Sequence, residues 1–398
     1  LISLGVPVAC AADGPSGIRM EGGYSATQMP IGTLLASTWN PELTEELYTL
    51  EGKEMYANQV DTLLGPGMNI HRHPLNGRNF EYFSEDPYLT GCFAAAAVRG
   101  IRAGKGVGTI KHFATNNQET ARSEENNVVS ERALREIYLK GFEIAVKEGN
   151  AQSIMTSYNG INGHWAASNY DLNTTILRGE WGYTGVVMTD WWATMNHPVL
   201  GGPCSRQRAS YMVRAQNDLY MVVPNHGAGD NAHGDDLSEA LEKGELTRGE
   251  LQRCAANICR FLMSVPCMDR DPREQERVEL QKAGAQAPEG FAENIPVLRD
   301  SEAYTMDFEH PLVLRAEEPG MYFMEAGLSS ASPEMSQVFM EFLLNGSPLL
   351  QVQMGGTRGK VTVRKLAKVR MEAGYYLLEA KLQKPDISIA WVRFRKLA

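Results

Sequence analysis

From residue 1 to about 265 the chain repeats one pattern: a short apolar run, a polar or glycine-containing turn, then an amphipathic stretch. The runs Val6–Ala12, Thr33–Ser37, Thr62–Leu64, Gly108–Phe113, Ser153–Ser157, Gly185–Thr189 and Leu219–Val223 have the length and apolar density of buried strands. Between them Pro41–Gln59, Pro87–Ala103 and Ser130–Glu148 read as helices, the last with Ser130 as its N-cap. Glu131, Arg135 and Lys140 give that helix a solvated face. Strands recur roughly every 35 residues, the size of a βα unit in a TIM barrel, (β/α)8, of about 250 residues. Seven strands are counted, so one of eight is upstream of Leu1 or unformed. A doubly wound α/β sheet competes, but no G-x-G-x-x-G follows the first strand.

After a long helix expected over about Asp236–Met263 the pattern changes. Residues 266–300 are rich in charge, Gln and Pro and read as a linker. Short alternating segments follow at Leu312–Arg315, Gly320–Leu328, Val338–Leu344, Leu349–Met354, Val361–Val363, Gly374–Leu382 and Ile387–Phe394, with turns at Asn345-Gly346 and Gly355-Gly356. The expected organisation is therefore an α/β barrel over 1–265, a linker over 266–300 and a smaller all-β sandwich over 301–398. The sandwich is either a carbohydrate-binding jelly roll or a structural module. Tyr322, Phe323, Tyr375, Tyr376 and Trp391 lie in alternating segments where most would face a core, which favours the structural role.

Composition narrows the partners. The net charge of −10 over 398 residues argues against nucleic acid and anionic membranes, which need a basic surface. No run reaches the roughly 20 apolar residues of a membrane span. Six cysteines occur with no C-x-x-C pair. They read as buried reduced thiols, which favours a cytoplasmic protein. A secreted one stays open, because a chain starting at Leu1 would hide a signal peptide. His71 and His73 lack a companion cluster at zinc spacing, so neither a metal nor a cofactor is expected.

Candidate chemistry lies at the strand ends. Gly185-Val186-Val187-Met188-Thr189 runs into Asp190-Trp191-Trp192, a carboxylate followed by two indoles. Asp190 there is either a helix cap or a nucleophile beside an aromatic wall suited to a sugar ring. Other strands end in Asp13-Gly14-Pro15, in Gly65-Pro66-Gly67 with a loop carrying Arg78 and Glu81, in Lys111-His112-Phe113, and in Met155-Thr156-Ser157-Tyr158-Asn159. Singly, Asp13 could close a turn before Gly14, and Arg78 could pair with Glu81 or Glu85 on the surface. Lys111 and His112 could be loop residues. Jointly, a barrel brings these ends to one face, giving a polar pocket with a ring for stacking, as a pyranose site requires.

The motifs D-G-P-x-G-x-R, G-R-x-F-E-x-F-S-E-D-P, K-H-F, M-T-x-Y-N and G-x-x-M-x-D-W, in that order, resemble those of glycoside hydrolase family 3, the β-glucosidase and β-xylosidase family. Leu35-Ala36-Ser37-Thr38-Trp39-Asn40 fits the same pattern as a second strand. The resemblance implies a retaining glycosidase removing a terminal β-D-glucosyl or related residue. Asp190 would be its nucleophile, and Asp13, Arg78, Lys111, His112 and Tyr158 would bind glycone hydroxyls. Trp191 and Met155 would line the site. Lys111 and Arg78 would keep Asp190 ionised.

A retaining enzyme also needs a second carboxyl about 5–5.5 Å away. In most of the family a separate α/β sandwich domain supplies it, and no such domain is legible here. The chain therefore reads as the C-terminal part of a member with swapped domain order. The Asp-His dyad of the β-N-acetylglucosaminidase subgroup is absent after Lys111-His112-Phe113, leaving Glu119, Glu124 and Glu125 as the nearby acids. Two competing functions are a non-catalytic sugar-binding barrel and an unrelated metal-dependent barrel enzyme. The missing ligand cluster disfavours the second.

Overall fold

The computed structural model describes residues 6–19, 26–221, 234–269, 278–281, 284, 286–288, 290–291, 295–333, 337–382 and 386–397. These fall into two compact units, one reaching residue 269 and the other beginning at residue 278.

The first unit is a mixed α/β, barrel-like domain. Its sheet holds β1 (Ala11–Asp13), β2 (Thr62–Leu64), β3 (Val107–Phe113), β4 (Ser153–Thr156) and β5 (Val186–Thr189), adjacent in that order. Every pairing is parallel, so all five C-terminal ends lie along one edge. Every residue of β2 to β5 is buried, which is why these strands are apolar runs rather than alternating ones. Their few polar side chains satisfy one another: Thr62 Oγ1 lies 3.1 Å from Thr109 Oγ1, which donates to Ser153 Oγ at 2.8 Å.

Two expected strands differ. Thr33–Ser37 belongs to a helix, α1 (Gly32–Ser37), in which Leu35 and Ala36 are buried while Leu34 is exposed. An apolar run this short carries no period that separates strand from helix. β1 therefore pairs directly with β2. Leu219 adds a single parallel bridge to Met188, and residues 222 and 223 of the expected run lie outside the described residues. Among the described residues the barrel-like sheet shows five strands and this bridge, not the seven strands expected.

The helices are set by their caps and by small residues. The Asn40 side chain accepts from Leu43 N–H and opens α2 (Pro41–Ala57), and the Asp86 side chain accepts from Leu89 N–H and opens α3 (Pro87–Ala103). Proline follows each cap at the first helical position, where no N–H is needed. α2 and α3 approach closely because Gly52, Gly100 and Gly104 lie at their contact. A Cβ on Gly100 would sit 2.4 Å from Glu45 O. Ser130 caps the next helical segment through Ala133 N–H, and Leu134–Tyr138 within it is π-helical. The long helix expected over Asp236–Met263 is two, α5 (Leu237–Glu242) and α6 (Arg248–Leu262), following α4 (Ala209–Arg214). Gly244 at φ 72° ends α5, and a Thr247–Glu250 capping box starts α6.

The second unit is β-rich. A five-stranded sheet runs in the order Val278–Gln281, Thr362–Met371, Gly320–Ser329, Ser388–Lys396, Ala303–Tyr304. A four-stranded sheet runs Leu312–Ala316, Gly374–Leu382, Gln337–Leu344, Ser347–Gly355. Both sheets supply one core that includes Met324, Phe342, Met354, Leu378 and Phe394. The expected linker is not wholly linker, since Val278–Gln281 pairs in parallel with Lys368–Met371. Asn345-Gly346 forms a two-residue hairpin turn with both residues at positive φ. Only Tyr322 and Tyr376 of the five aromatics noted above are buried in the core, because their neighbours Phe323 and Tyr375 necessarily face the other side. Trp391 is half-buried beneath the Arg393 guanidinium, 4.8 Å from its ring centroid. Cys10, Cys204 and Cys259 are exposed rather than buried.

Candidate active site

The site forms where the strand ends meet. Asp13 ends β1, and Lys111 and His112 lie near the end of β3. Lys111 Nζ, almost fully buried, donates to Asp13 Oδ1 at 2.7 Å and lies 3.7 Å from Glu81 Oε1. Glu81 in turn takes a bidentate pair from Arg78, with Nε to Oε2 at 2.7 Å and Nη2 to Oε1 at 3.0 Å. Arg78 does pair with Glu81 as one reading had it, but Glu81 is buried, so the pair is part of the site rather than of the surface. Burial pushes the Asp13 carboxyl up. The Lys111 ammonium more than offsets this, helped by Gly14 N–H and Arg78, so Asp13 titrates below the ordinary range.

His112 is buried and held at both ends of its residue. Its backbone N–H donates to Asn69 Oδ1 and its carbonyl accepts from Asn69 Nδ2, each at 2.9 Å. Its Nδ1 lies 3.3 Å from Tyr82 Oη, which accepts from Asn116 Nδ2 at 2.9 Å. In the tautomer with its proton on Nε2, His112 accepts from the Tyr82 hydroxyl at Nδ1 and turns an N–H toward Asp190 Oδ2. Burial, then Arg78, Lys111 and Arg122, hold the imidazole well below its ordinary pKa, so it is neutral.

Asp190 follows β5 directly. No helix comes after it, only a turn and the short strand Met195–His197, so Asp190 is not a helix cap. Its Oδ1 accepts from Trp191 N–H at 2.8 Å, its Oδ2 lies 3.7 Å from His112 Nε2, and its charge acts on the nearby Tyr158 hydroxyl. Burial is the largest influence on Asp190 and pushes its carboxyl above the ordinary value. The Trp191 N–H, Arg78, Arg122 and Lys111 oppose the shift without cancelling it. Arg78 and Lys111 thus act in the expected direction, toward the ionised carboxylate, while desolvation outweighs them. Burial and the Asp190 carboxylate raise the Tyr158 hydroxyl far above the ordinary range, so Tyr158 stays a donor.

Trp191 packs, half-buried, against Leu64, Met155, Val186 and Met188. Met155 itself is 1% exposed, so it backs the indole from the barrel core rather than forming open pocket wall. Asp13, Arg78, Lys111, His112, Tyr158, Trp191 and Asp190 are thus linked in one cluster. Arg122 and Asn116 belong to it and were not anticipated, and Glu119, expected only as one of the nearby acids, belongs to it too. Arg122 Nη1 donates to Glu119 Oε2 at 2.8 Å, and its guanidinium lies 4.8 Å from the Tyr158 ring centroid. Glu119 also lies 4.0 Å from Arg78 and accepts from Asn116 at 3.1 Å. The legible signal was the dense polar run Asn116-Asn117-Gln118-Glu119 directly after a strand end. Among the described residues no group of three or more His, Cys, Asp or Glu side chains is placed to hold a metal. No helix of the described residues is long and apolar enough to cross a membrane.

Residues 2–261 match the description "Glycosyl hydrolase family 3 N terminal domain". The chain belongs to glycosyl hydrolase family 3. Within this family it is 43% identical over 405 residues to a β-glucosidase of Ruminococcus albus, covering 100% of this chain and 42% of that protein. It is 57% identical to a crystallised β-glucosidase of Paenibacillus barengoltzii, with a TM-score of 0.72 over 99% of this chain and 43% of that one. A Thermotoga neapolitana β-glucosidase 3B solved with glucose is 42% identical, with a TM-score of 0.61 over 68% of this chain and 37% of that one. The family 3 chain therefore spans under half the length of these relatives. The matched region is the family's N-terminal domain, so the swapped domain order expected from the sequence has no support here.

Proposed function

We propose that this family 3 domain carries the glycone site and nucleophile of a retaining β-glucosidase. The observation that supports it most is the position of Asp190: a buried carboxylate at a strand end, met by neutral His112 and by the Tyr158 hydroxyl, with three cations opposing its protonation. In this reading the barrel-like sheet is part of a (β/α)8 barrel, whose C-terminal edge carries the chemistry.

The geometry supports roles for the other side chains. The Asp13–Lys111 pair offers an acceptor and a donor side by side, suited to two neighbouring sugar hydroxyls. Arg78, fixed by Glu81, and His112 Nε2–H add donors whose own partners hold them in place. Trp191 supplies an apolar face for the ring. Asp190 then attacks the anomeric carbon, forming a glycosyl ester as the aglycone leaves, and water cleaves the ester with a second inversion. Substrate hydroxyls donating to Asp190 favour its charged form and so oppose the upward push of burial.

The reaction needs a second carboxyl as acid/base. Glu119 is poorly suited, because Arg122 and Asn116 engage its two oxygens. We assign the acid/base to residues beyond those described, as on a sandwich domain of the intact protein. The test is trapping: a 2-deoxy-2-fluoro-β-glucoside with a good leaving group should label the Asp190 peptide in mass spectrometry. Label on another residue would sink the assignment. A non-catalytic sugar-binding barrel is the alternative, and binding of glucose with no turnover by the intact protein would establish it.

A further inference from the structure

Arg122 and Glu119 have no place among the hydroxyl-binding roles just given, yet they close a ring of contacts around the nucleophile. From Asp190 one arm runs to His112 Nε2 at 3.7 Å, then from His112 Nδ1 to Tyr82 at 3.3 Å and on to Asn116 at 2.9 Å. The other arm runs from Asp190, whose N–H donates to Thr156 O at 3.2 Å, to Tyr158 just beyond that strand end, whose ring lies under Arg122, and from Arg122 to Glu119 at 2.8 Å. Asn116 donates to Glu119 at 3.1 Å and joins the two arms.

We propose that Arg122, anchored by Glu119, is a positioning residue that plates the Tyr158 ring and so holds the Tyr158 hydroxyl in the neighbourhood of Asp190. The proposal rests on the reading of Asp190 as the nucleophile. Arg122 is 37% exposed, and a long cation at that exposure would lose its place over the ring to solvent. Glu119 prevents this, being held in turn by Asn116 and by Arg78 at 4.0 Å. A flat guanidinium over the ring face gains cation–π attraction and also fixes the plane in which the hydroxyl swings. Arg122 further contributes positive charge toward Asp190, beside Arg78 and Lys111, with His112 neutral and Tyr158 protonated.

The experiment compares R122A, R122K, E119A and the R122A/E119A double variant in the intact protein. It follows kcat/KM for 4-nitrophenyl β-D-glucoside against pH, together with the affinity of 1-deoxynojirimycin, whose cation reads the charge of Asp190 without turnover. R122A should lose about tenfold or more in kcat/KM. Its acidic limb should move to higher pH, because a cation that favoured the carboxylate is gone. R122K should restore the limb but not the rate, since an ammonium keeps the charge and loses the plate. E119A should resemble R122A, and the double variant should be no worse than either single one. An unmoved limb with multiplying losses would mean a merely structural pair and would overturn the proposal. Wild-type protein that binds the iminosugar without cleaving the glucoside would refute the hydrolase reading alone. The inference would then stand or fall on whether R122A weakens that binding about tenfold. Wild-type protein that does neither overturns both.

Discussion

His112 Nε2 lies 3.7 Å from Asp190 Oδ2 with both side chains buried, yet the two do not form an ordinary ion pair. The imidazole is neutral, for burial and three nearby cations push its pKa well below 6.5. It therefore meets Asp190 as an N–H dipole rather than as a counter-ion. The positive charge that favours the carboxylate comes instead from Arg78, Arg122 and Lys111.

His112→Asn should lower kcat/KM by about 10- to 100-fold, the loss of one to two good hydrogen bonds to substrate. It should also change how stability depends on pH. An unfolded histidine binds its proton near pH 6.5, and the folded one does so only well below that. The unfolded state therefore takes up protons first. The stabilisation is complete above about pH 6.5 and is lost as the pH falls toward the folded value. Denaturant titrations from pH 5 to 8 should show a shallower loss on the acid side in the variant. An unchanged slope would contradict a buried neutral His112.

Asp13→Ala leaves the nearly buried Lys111 ammonium with Glu81 at 3.7 Å in place of a 2.7 Å partner. Because Glu81 remains and Asp13 is itself half-exposed, the cost should be about 1–3 kcal/mol rather than that of a fully stranded charge. The variant should also raise KM sharply, since the proposed acceptor for a sugar hydroxyl is lost. A full-strength KM with lowered Tm would make Asp13 structural only.

Gly100→Ala probes the α2–α3 contact. The new methyl would sit 2.4 Å from Glu45 O and 2.9 Å from Tyr48 Cβ, and backbone cannot yield as a side-chain tip can. A loss of about 1–3 kcal/mol, read as a lower Tm, is expected from overpacking. Wild-type stability would show that the two helices are not so close.

Glu51, on α2, carries a carboxyl that burial, with Glu54 adding to it, pushes up to about 8. The folded state thus holds a proton that the unfolded state releases near pH 4.5. Stability from this site is full below about pH 4.5 and declines as the pH rises toward 8. Glu51→Gln should flatten that decline, and the gain over wild type should grow from pH 5 to 8. A variant less stable than wild type at pH 8 would contradict it.

The strand ends were legible because their chemistry is written in order along the chain: Asp13, Arg78, Lys111, His112, Tyr158 and Asp190 all fall in one linked cluster. What sequence missed has physical reasons. Thr33–Ser37 is too short to carry a period, and its helix is set by burial of Leu35 and Ala36. The break between α5 and α6 turns on the left-handed Gly244, which looks like one more residue in an otherwise amphipathic run. Val278–Gln281 is charged at Glu279, and its pairing with a strand some 90 residues later has no local signal. Arg122 and Glu119 sit on a loop where a charged pair ordinarily means solvent. Only the fold brings Tyr158 beneath that guanidinium.

The most direct test is Asp190→Ala in the intact protein, assayed on an activated aryl β-glucoside with and without azide. Loss of the nucleophile should abolish turnover, by about four orders of magnitude or more. Azide should partly restore it, entering the vacated space and giving an α-glucosyl azide by single inversion. Turnover near the wild-type rate, or a β-configured azide product, would contradict Asp190 as the nucleophile.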